Sequence, residues 1–377
     1  MIYFDNAASS RPEGRAIEVF SVVNAEAFGN PNSTHGFGFA AKRIDEKARQ
    51  DILRALKIEK THSLIFTSGA TEANNMAIKS IAFQYKNRGR KIITSAVEHA
   101  SVLNAFYELR DEFGFEVLVL PVCKDGYVLP QTLASAMDKN VILVSMMAVN
   151  NETGAIFPTK ALAGIVHKFP KAYFHVDATQ AIGKVKFDYG CADMLSCSAH
   201  KFGGFKGTGF LTFRKSIQFL PLLSGGEQEF GYRGGTVNVA GNAAMAEVLK
   251  SHIENLDSNS EKVKELVCYL RDGLSSIAEI EFNSPENSSP YVLNFSFALH
   301  KASVLVEGLS EKEIYVSSVS ACNSKGEPVS NVLLAMGYSK ERAGNSMRVS
   351  ILPTTTKEEI DTFLATLKTL LQEVNPR

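Results

Sequence analysis

The sequence has no excess of charge of either sign. Of its 377 residues, 40 are Lys or Arg and 40 are Asp or Glu. That balance argues against a protein held broadly to nucleic acid or anionic lipid by its overall field. No run approaches the ~20 consecutive apolar residues of a membrane-spanning helix. The opening stretch, Met1–Ser9, carries Asp5 and no basic-then-apolar pattern, so a cytoplasmic location is expected. CxxC spacing is absent, which removes the commonest cysteine metal site. The five cysteines, Cys123, Cys191, Cys197, Cys268 and Cys322, are odd in number and scattered, unlike a disulfide framework. They are expected to be reduced thiols, most of them small core residues and one of them reactive. Internal repeats and low-complexity segments are also missing. What remains is 45% hydrophobic and 21% charged, the balance of an ordinary globular chain. At about 100–200 residues per domain, the length suggests two.

Apolar runs alternate with helical patterns through the first two-thirds. Ser63–Thr67 reads as a short buried strand, followed by the turn signal Ser68-Gly69. A helix then starts near Thr71, with Ala73, Met76, Ala77 and Ile81 on one face. Lys91–Thr94, Glu116–Leu120, Val141–Met147, Ala172–Val176, Met194–Ser198 and Thr208–Phe213 read as further strands, with a helix from about Ala100. The unbroken apolarity of Val141–Met147 is that of a strand buried on both faces. Alternation of this kind implies a mostly parallel sheet covered by helices. Beyond residue 256 the character changes. Asp257–Lys262 reads as a polar linker, and a helix over Val263–Leu274, a strand at Tyr291–Phe297 and a Ser/Asn/Gly/Pro-rich stretch at Ser317–Ser330 follow. Thr356 and Glu359 have capping-box spacing ahead of an apolar stripe from Ile360 to Val374. This part reads as a smaller α+β domain.

In open α/β sheets, ligands gather beyond the carboxyl ends of the strands. Five segments lie there. Ser68–Thr71 opens a helix, whose free N–H groups and dipole suit a phosphate, although such a turn also serves as an ordinary cap. Glu98-His99 follows a strand. Asn150–Gly154 either makes a turn or orients a carboxylate. Asp177 either caps a helix or holds a cation such as a protonated ring nitrogen, with Gln180 three residues on. Lys201, directly after an apolar strand, is poorly placed for simple solvation, and desolvation would make it a nucleophilic amine. A lysine for a Schiff base, an acid for a pyridinium nitrogen and a phosphate cradle are the three requirements of a pyridoxal phosphate site. Lys201, Asp177 and the Ser68–Thr71 turn supply all three. Cys322 sits among small polar residues ahead of Gly326 and Pro328, an exposed-loop composition. The other four cysteines lie in apolar or helical settings and read as structural.

The motifs as a set resemble the cysteine desulfurases of the NifS/IscS type, within the class V aminotransferases. The resemblance runs nearly end to end: Tyr3–Ala8, Gly29–His35, Thr67–Asn75, Val149–Gly154, His175–Gln180, Ser198–Lys201, Arg233–Asn238, Ser320–Cys322 and Arg348–Ser350. It implies the pyridoxal-phosphate-dependent transferase fold type I: an α/β large domain with a mostly parallel mixed sheet, plus a smaller α+β domain. The expected division is an N-terminal segment 1–14 joining the small domain, a cofactor-binding domain 15–256, and a small domain 257–377 carrying the catalytic cysteine.

The resemblance also implies roles at matching positions. Lys201 forms the Schiff base with pyridoxal 5′-phosphate. Ala70, Thr71, Ser198 and His200 hold its phosphate, and Thr236 reaches the phosphate of a second subunit, so a homodimer is implied. Asp177 pairs with the ring nitrogen, Gln180 with the ring hydroxyl, and His99 stacks on the ring and assists proton transfer. Arg348 binds the substrate carboxylate with Asn151. L-Cysteine becomes L-alanine, and Cys322 keeps the sulfur as a persulfide for an acceptor such as an iron–sulfur scaffold or a tRNA-thiolation enzyme. The chain is expected to hold no metal of its own, with iron–sulfur contact limited to what the Cys322 persulfide meets on a partner, and to bind neither nucleic acid nor membrane directly. Three features depart from the family pattern: Ala199 in place of a glycine, Val319 in place of a glycine, and one residue fewer between Cys322 and Pro328. Selenocysteine lyase, another class V enzyme and a non-catalytic sulfur carrier share much of this signature. Cys322 sets a desulfurase apart from an aminotransferase, and a bound cofactor sets it apart from a non-catalytic carrier.

Overall fold

The computed structural model describes residues 1–318 and 329–376. Cys322, Val319 and the Cys322-to-Pro328 segment therefore lie outside the described residues. A seven-stranded sheet forms the larger part. Its spatial order is His62–Thr67, Gly209–Arg214, Met194–Ser198, Tyr173–Asp177, Val141–Met147, Lys91–Ser95 and Glu116–Leu120. Gly209–Arg214 runs antiparallel to both neighbours, and the remaining pairs are parallel. Every residue of Val141–Met147 is buried, as its unbroken apolarity requires. Alternation along His62–Thr67 sends Leu64 and Phe66 into one core and Ile65 into the other.

Helices cover both faces. Ala70–Tyr85 and Ala100–Asp111 pack on one side, through Ile81, Val102 and Phe106. Gly36–Ala55, a helix not anticipated from the sequence, is amphipathic and buries Ala41, Asp45, Ala48, Arg49, Ile52 and Leu53. It packs against Val239–Glu254. Its buried Arg49 forks onto Glu229 at 2.8 and 3.0 Å and bonds Asp45 at 3.0 Å. A bidentate pair of this kind offsets part of the cost of burying these charges, while at Asp45 burial still prevails and raises the carboxyl's pKa.

A third core surrounds a four-stranded antiparallel sheet ordered Ser317–Ser318, Ser346–Ser350, Val292–Phe297, Ile280–Phe282. Phe4 of the N-terminal segment packs into it beside Phe363. Ile2–Tyr3 pairs with Ile314–Tyr315, so the first residues add to this part of the molecule. The capping box is present. Thr356 Oγ1 accepts from Glu359 N at 3.2 Å, and Glu359 Oε2 accepts from Thr356 N at 3.0 Å.

Two expectations need correction. Asp257–Lys262 is not a linker but part of the helix Leu256–Ser275. Its polar residues form the solvated side of an amphipathic helix whose buried positions begin at Val263, and Asp257 in the first turn complements the helix dipole. Cys268 lies within that helix but on its exposed side, so it is not a packing residue. Cys191 and Cys197 are buried, and burial raises both thiol pKa values.

Candidate active site

A cavity of about 490 Å³ opens at the carboxyl ends of the parallel strands. Five of the strands deliver their next residues to the wall. Ala70 and Thr71 come from the turn after Thr67, His99 from beyond Ser95, and Asn151 and Glu152 from beyond Met147. Asp177 and Gln180 come from the next strand, and Ser198, His200 and Lys201 from the one after. Arg348, Asp5, Ala7, Ala8, Ser317 and Ser318 close it from the smaller sheet and the N-terminal segment. Ten of the expected site residues thus share one wall. Thr236 does not; it lines a separate pocket with Ser68, Glu229 and Arg233.

Gly69 makes the sharp entry to the helix Ala70–Tyr85, with φ +152°, and no side chain caps that helix from Gly69. Ser198 Oγ crosses from the neighbouring strand to accept Ala70 N at 3.0 Å. Ala70 and Thr71 of the first turn, Ser198 and His200 all line the cavity. The His200 pKa is pushed down to about 4 by burial first, then by Lys201, Lys206 and Lys184, so its imidazole is neutral at pH 7. Ala199, one of the expected departures from the family pattern, is accommodated by Gly204. A Cβ on Gly204 would lie 2.6 Å from the Ala199 Cβ.

Asp177 is the last residue of its strand, not a helix cap. Its Oδ2 accepts from Asn74 Nδ2 at 2.8 Å and its Oδ1 from Thr179 N at 3.0 Å. Both partners are neutral donors, so the carboxylate is oriented yet still able to face a cation. Lys201 Nζ donates to Ala7 O and Ala8 O, each at 2.7 Å. Ser10 N, bonded to His200 O at 2.7 Å, ties the same N-terminal segment to the lysine's turn. His99 Nδ1 accepts from Ser101 N at 3.1 Å, leaving Nε2 to carry the proton of the neutral ring.

Arg348 is nearly buried. Its Nη1 donates to Asn151 O at 2.9 Å and its Nη2 to Asp5 Oδ1 at 2.8 Å, while Nε is a buried donor with no hydrogen-bond partner among the described residues. The site also holds residues that motif reasoning did not assign. Asp5 anchors the arginine, and Asn74 the aspartate. Glu98 accepts from Ser95 Oγ at 2.6 Å and Met147 N at 3.0 Å, and burial raises its pKa to about 8. Glu152 bonds Ser330, and burial raises its pKa to about 7 against the opposing pull of that bond and of Arg348. Asp5 and Asn74 stand inside quoted motifs, Tyr3–Ala8 and Thr67–Asn75, so their signal was present without a role attached.

The profile of the class V aminotransferases matches residues 2–363. A protein named cysteine desulfurase IscS from Dictyoglomus turgidum is 39% identical over 99% of this chain and 95% of its own length. A solved NifS-like protein superposes with a TM-score of 0.92 at 36% identity, covering 99% of this chain and all of that one. The structure of SspA in complex with cysteine superposes with a TM-score of 0.81 at 30% identity, covering 94% of this chain and 100% of that one. The mixed, mostly parallel sheet flanked by helices is the fold of these enzymes. The chain belongs to the class V aminotransferase family and, within it, to the cysteine desulfurases of the NifS/IscS type.

Proposed function

We propose that this chain is a pyridoxal 5′-phosphate-dependent cysteine desulfurase that converts L-cysteine to L-alanine and holds the sulfur as a persulfide on Cys322. The observation that carries the reading is the shared cavity: Lys201, Asp177 and the helix start at Ala70 line it together. Those residues fit the cofactor: an anion site, an oriented carboxylate and a lysine, in a space of ligand size. Bound there, the cofactor supplies an electron sink that lets bonds at the substrate Cα and Cβ break.

The chain's own residues do the rest. Ala70, Thr71, Ser198 and His200 hold the phosphate through N–H and O–H donors. Thr236 serves the phosphate of a second copy, which accounts for its place outside this cavity. Asp177 would hold the proton of the ring nitrogen, Gln180 would bond the ring hydroxyl, and His99, with Nδ1 accepting from Ser101 N, would offer Nε2 for proton transfer. Arg348 and Asn151 grip the substrate carboxylate; the buried Nε of Arg348 has no hydrogen-bond partner among the described residues. Lys201 Nζ takes the Cα proton and returns one. The Cys322 thiolate attacks the substrate sulfur. An S–S bond forms, the C–S bond breaks with its electron pair on carbon, and protonation there completes alanine. Ser317 and Ser318, just before that cysteine's segment, line the cavity, which supports this assignment.

The sulfur then passes to an acceptor protein, of iron–sulfur assembly or of thiolation. Phe28 and Phe37 stack with ring centres 5.1 Å apart while both remain exposed, in keeping with a homodimer. No described helix is long and apolar enough to cross a membrane, and a cytoplasmic site of action is proposed with it. Adding pyridoxal phosphate should produce an absorbance band near the visible edge that is lost in Lys201→Ala. A wild-type chain that shows no band when supplied with cofactor refutes the reading.

A further inference from the structure

Lys184 is a lysine that the reaction above leaves unused. It ends the turn that carries Gln180, and only 2% of it is exposed. A polar group so buried is costly unless it is bonded. Its Nζ donates to Gln180 Oε1 at 3.3 Å and lies 5.8 Å from the centre of the Tyr291 ring. At its other end, Gln180 donates Nε2 to Ala7 O at 2.9 Å. The same carbonyl accepts from Lys201 Nζ at 2.7 Å. Lysine donates and a carbonyl accepts, so the two partners together fix which end of the Gln180 amide faces which way. The charged and titratable groups acting on Lys184 are Lys201, Arg348 and Cys197. Burial first, then Lys201, lowers its pKa to about 7, with Arg348 adding to this and Cys197 opposing it. It still donates when neutral, so the contact persists across that range.

We propose that Lys184 is a positioning residue: from behind the cavity wall it holds the Gln180 amide in one orientation, with Nε2 on the Ala7 carbonyl that also anchors Lys201. The inference rests on the cofactor reading, because Gln180 acts on the ring hydroxyl. Lys184 itself does not line the cavity. Without its donor, Gln180 Oε1 is left buried and unpaired, and the amide is free to turn.

The test is a double-variant cycle read on cofactor binding and absorbance, with turnover set aside. Lys184→Met keeps a long unbranched stem and removes the donor; Lys184→Leu takes its place if that variant does not fold. In the wild-type background, the expected result is pyridoxal phosphate affinity weakened about fivefold, with a displaced absorbance maximum. In the Gln180→Ala background, the same substitution should change neither. Equal effects in both backgrounds would show that Lys184 acts independently of Gln180, and an unchanged affinity and spectrum in the wild-type background would show that it positions nothing; either result overturns the proposal. A wild-type chain without an absorbance band overturns the cofactor reading itself, and this inference with it.

Discussion

Replacing Gly69 with alanine perturbs the phosphate end of the cavity at one atom. Gly69 has φ +152° and ψ −179°, a backbone region essentially closed to residues with a Cβ. Holding alanine there costs about 1–3 kcal/mol. The added Cβ would also lie 2.9 Å from Ser198 Oγ, closer than such atoms approach. The hydroxyl must then leave Ala70 N, now 3.0 Å away, at a further cost of about 1 kcal/mol. The sum, about 2–4 kcal/mol, is divided between folding and the site. Gly207 is the control, because it has φ +79° and its Cβ would meet nothing within 4 Å. Both variants should show a lower denaturant midpoint as apo proteins. Only Gly69→Ala should also weaken pyridoxal phosphate binding in a fluorescence titration, by about fivefold or more. Wild-type affinity in Gly69→Ala would refute the argument that Ser198 Oγ and the helix start form the phosphate cradle.

Three further outcomes are expected. Asp177→Asn should lower kcat, because an amide cannot hold the ring nitrogen's proton; an unchanged kcat counts against that role. Arg348→Ala should mainly raise KM for L-cysteine, by roughly 10- to 100-fold for the loss of a charge-assisted pair, and an unchanged KM would remove Arg348 from substrate binding. Glu98 makes stability depend on pH. Its pKa is raised from 4.5 to about 8 by burial, so between those values the folded chain keeps a proton that the unfolded chain has lost. Its stabilising contribution is complete below the lower value and is lost as pH rises through the window. Glu98→Gln should flatten that part of the unfolding free-energy curve, and an unaltered slope from pH 5 to 8 would refute the neutral buried carboxyl.

Much of the larger sheet was legible because each buried strand is a short apolar run and each functional residue stands just past one. Val141–Met147 and Met194–Ser198 match the expected bounds, and Lys91–Ser95 extends them by one residue. Asp177 proved to be the strand's last residue because its backbone pairs with Met147 on one side and Ser196 on the other. A single sequence does not display that long-range pairing. The same limit hid Asp5 from Arg348, 343 positions away, and Lys184 from its place behind Gln180. Helix Gly36–Ala55 escaped notice because its inward face includes Asp45 and Arg49, charges that read as solvated until Glu229 is seen to meet them. The polar start of Leu256–Ser275 misled for the opposite reason: an exposed helical face and a linker share a composition.

The central claim is tested most directly by the products formed from L-cysteine. The cofactor-loaded chain, under excess thiol reductant, should release alanine and sulfide in equal amounts, and Cys322→Ala should lose that release while retaining the absorbance band of bound cofactor. Wild-type rates of alanine and sulfide release from Cys322→Ala, or consumption of L-cysteine without alanine, would contradict the account.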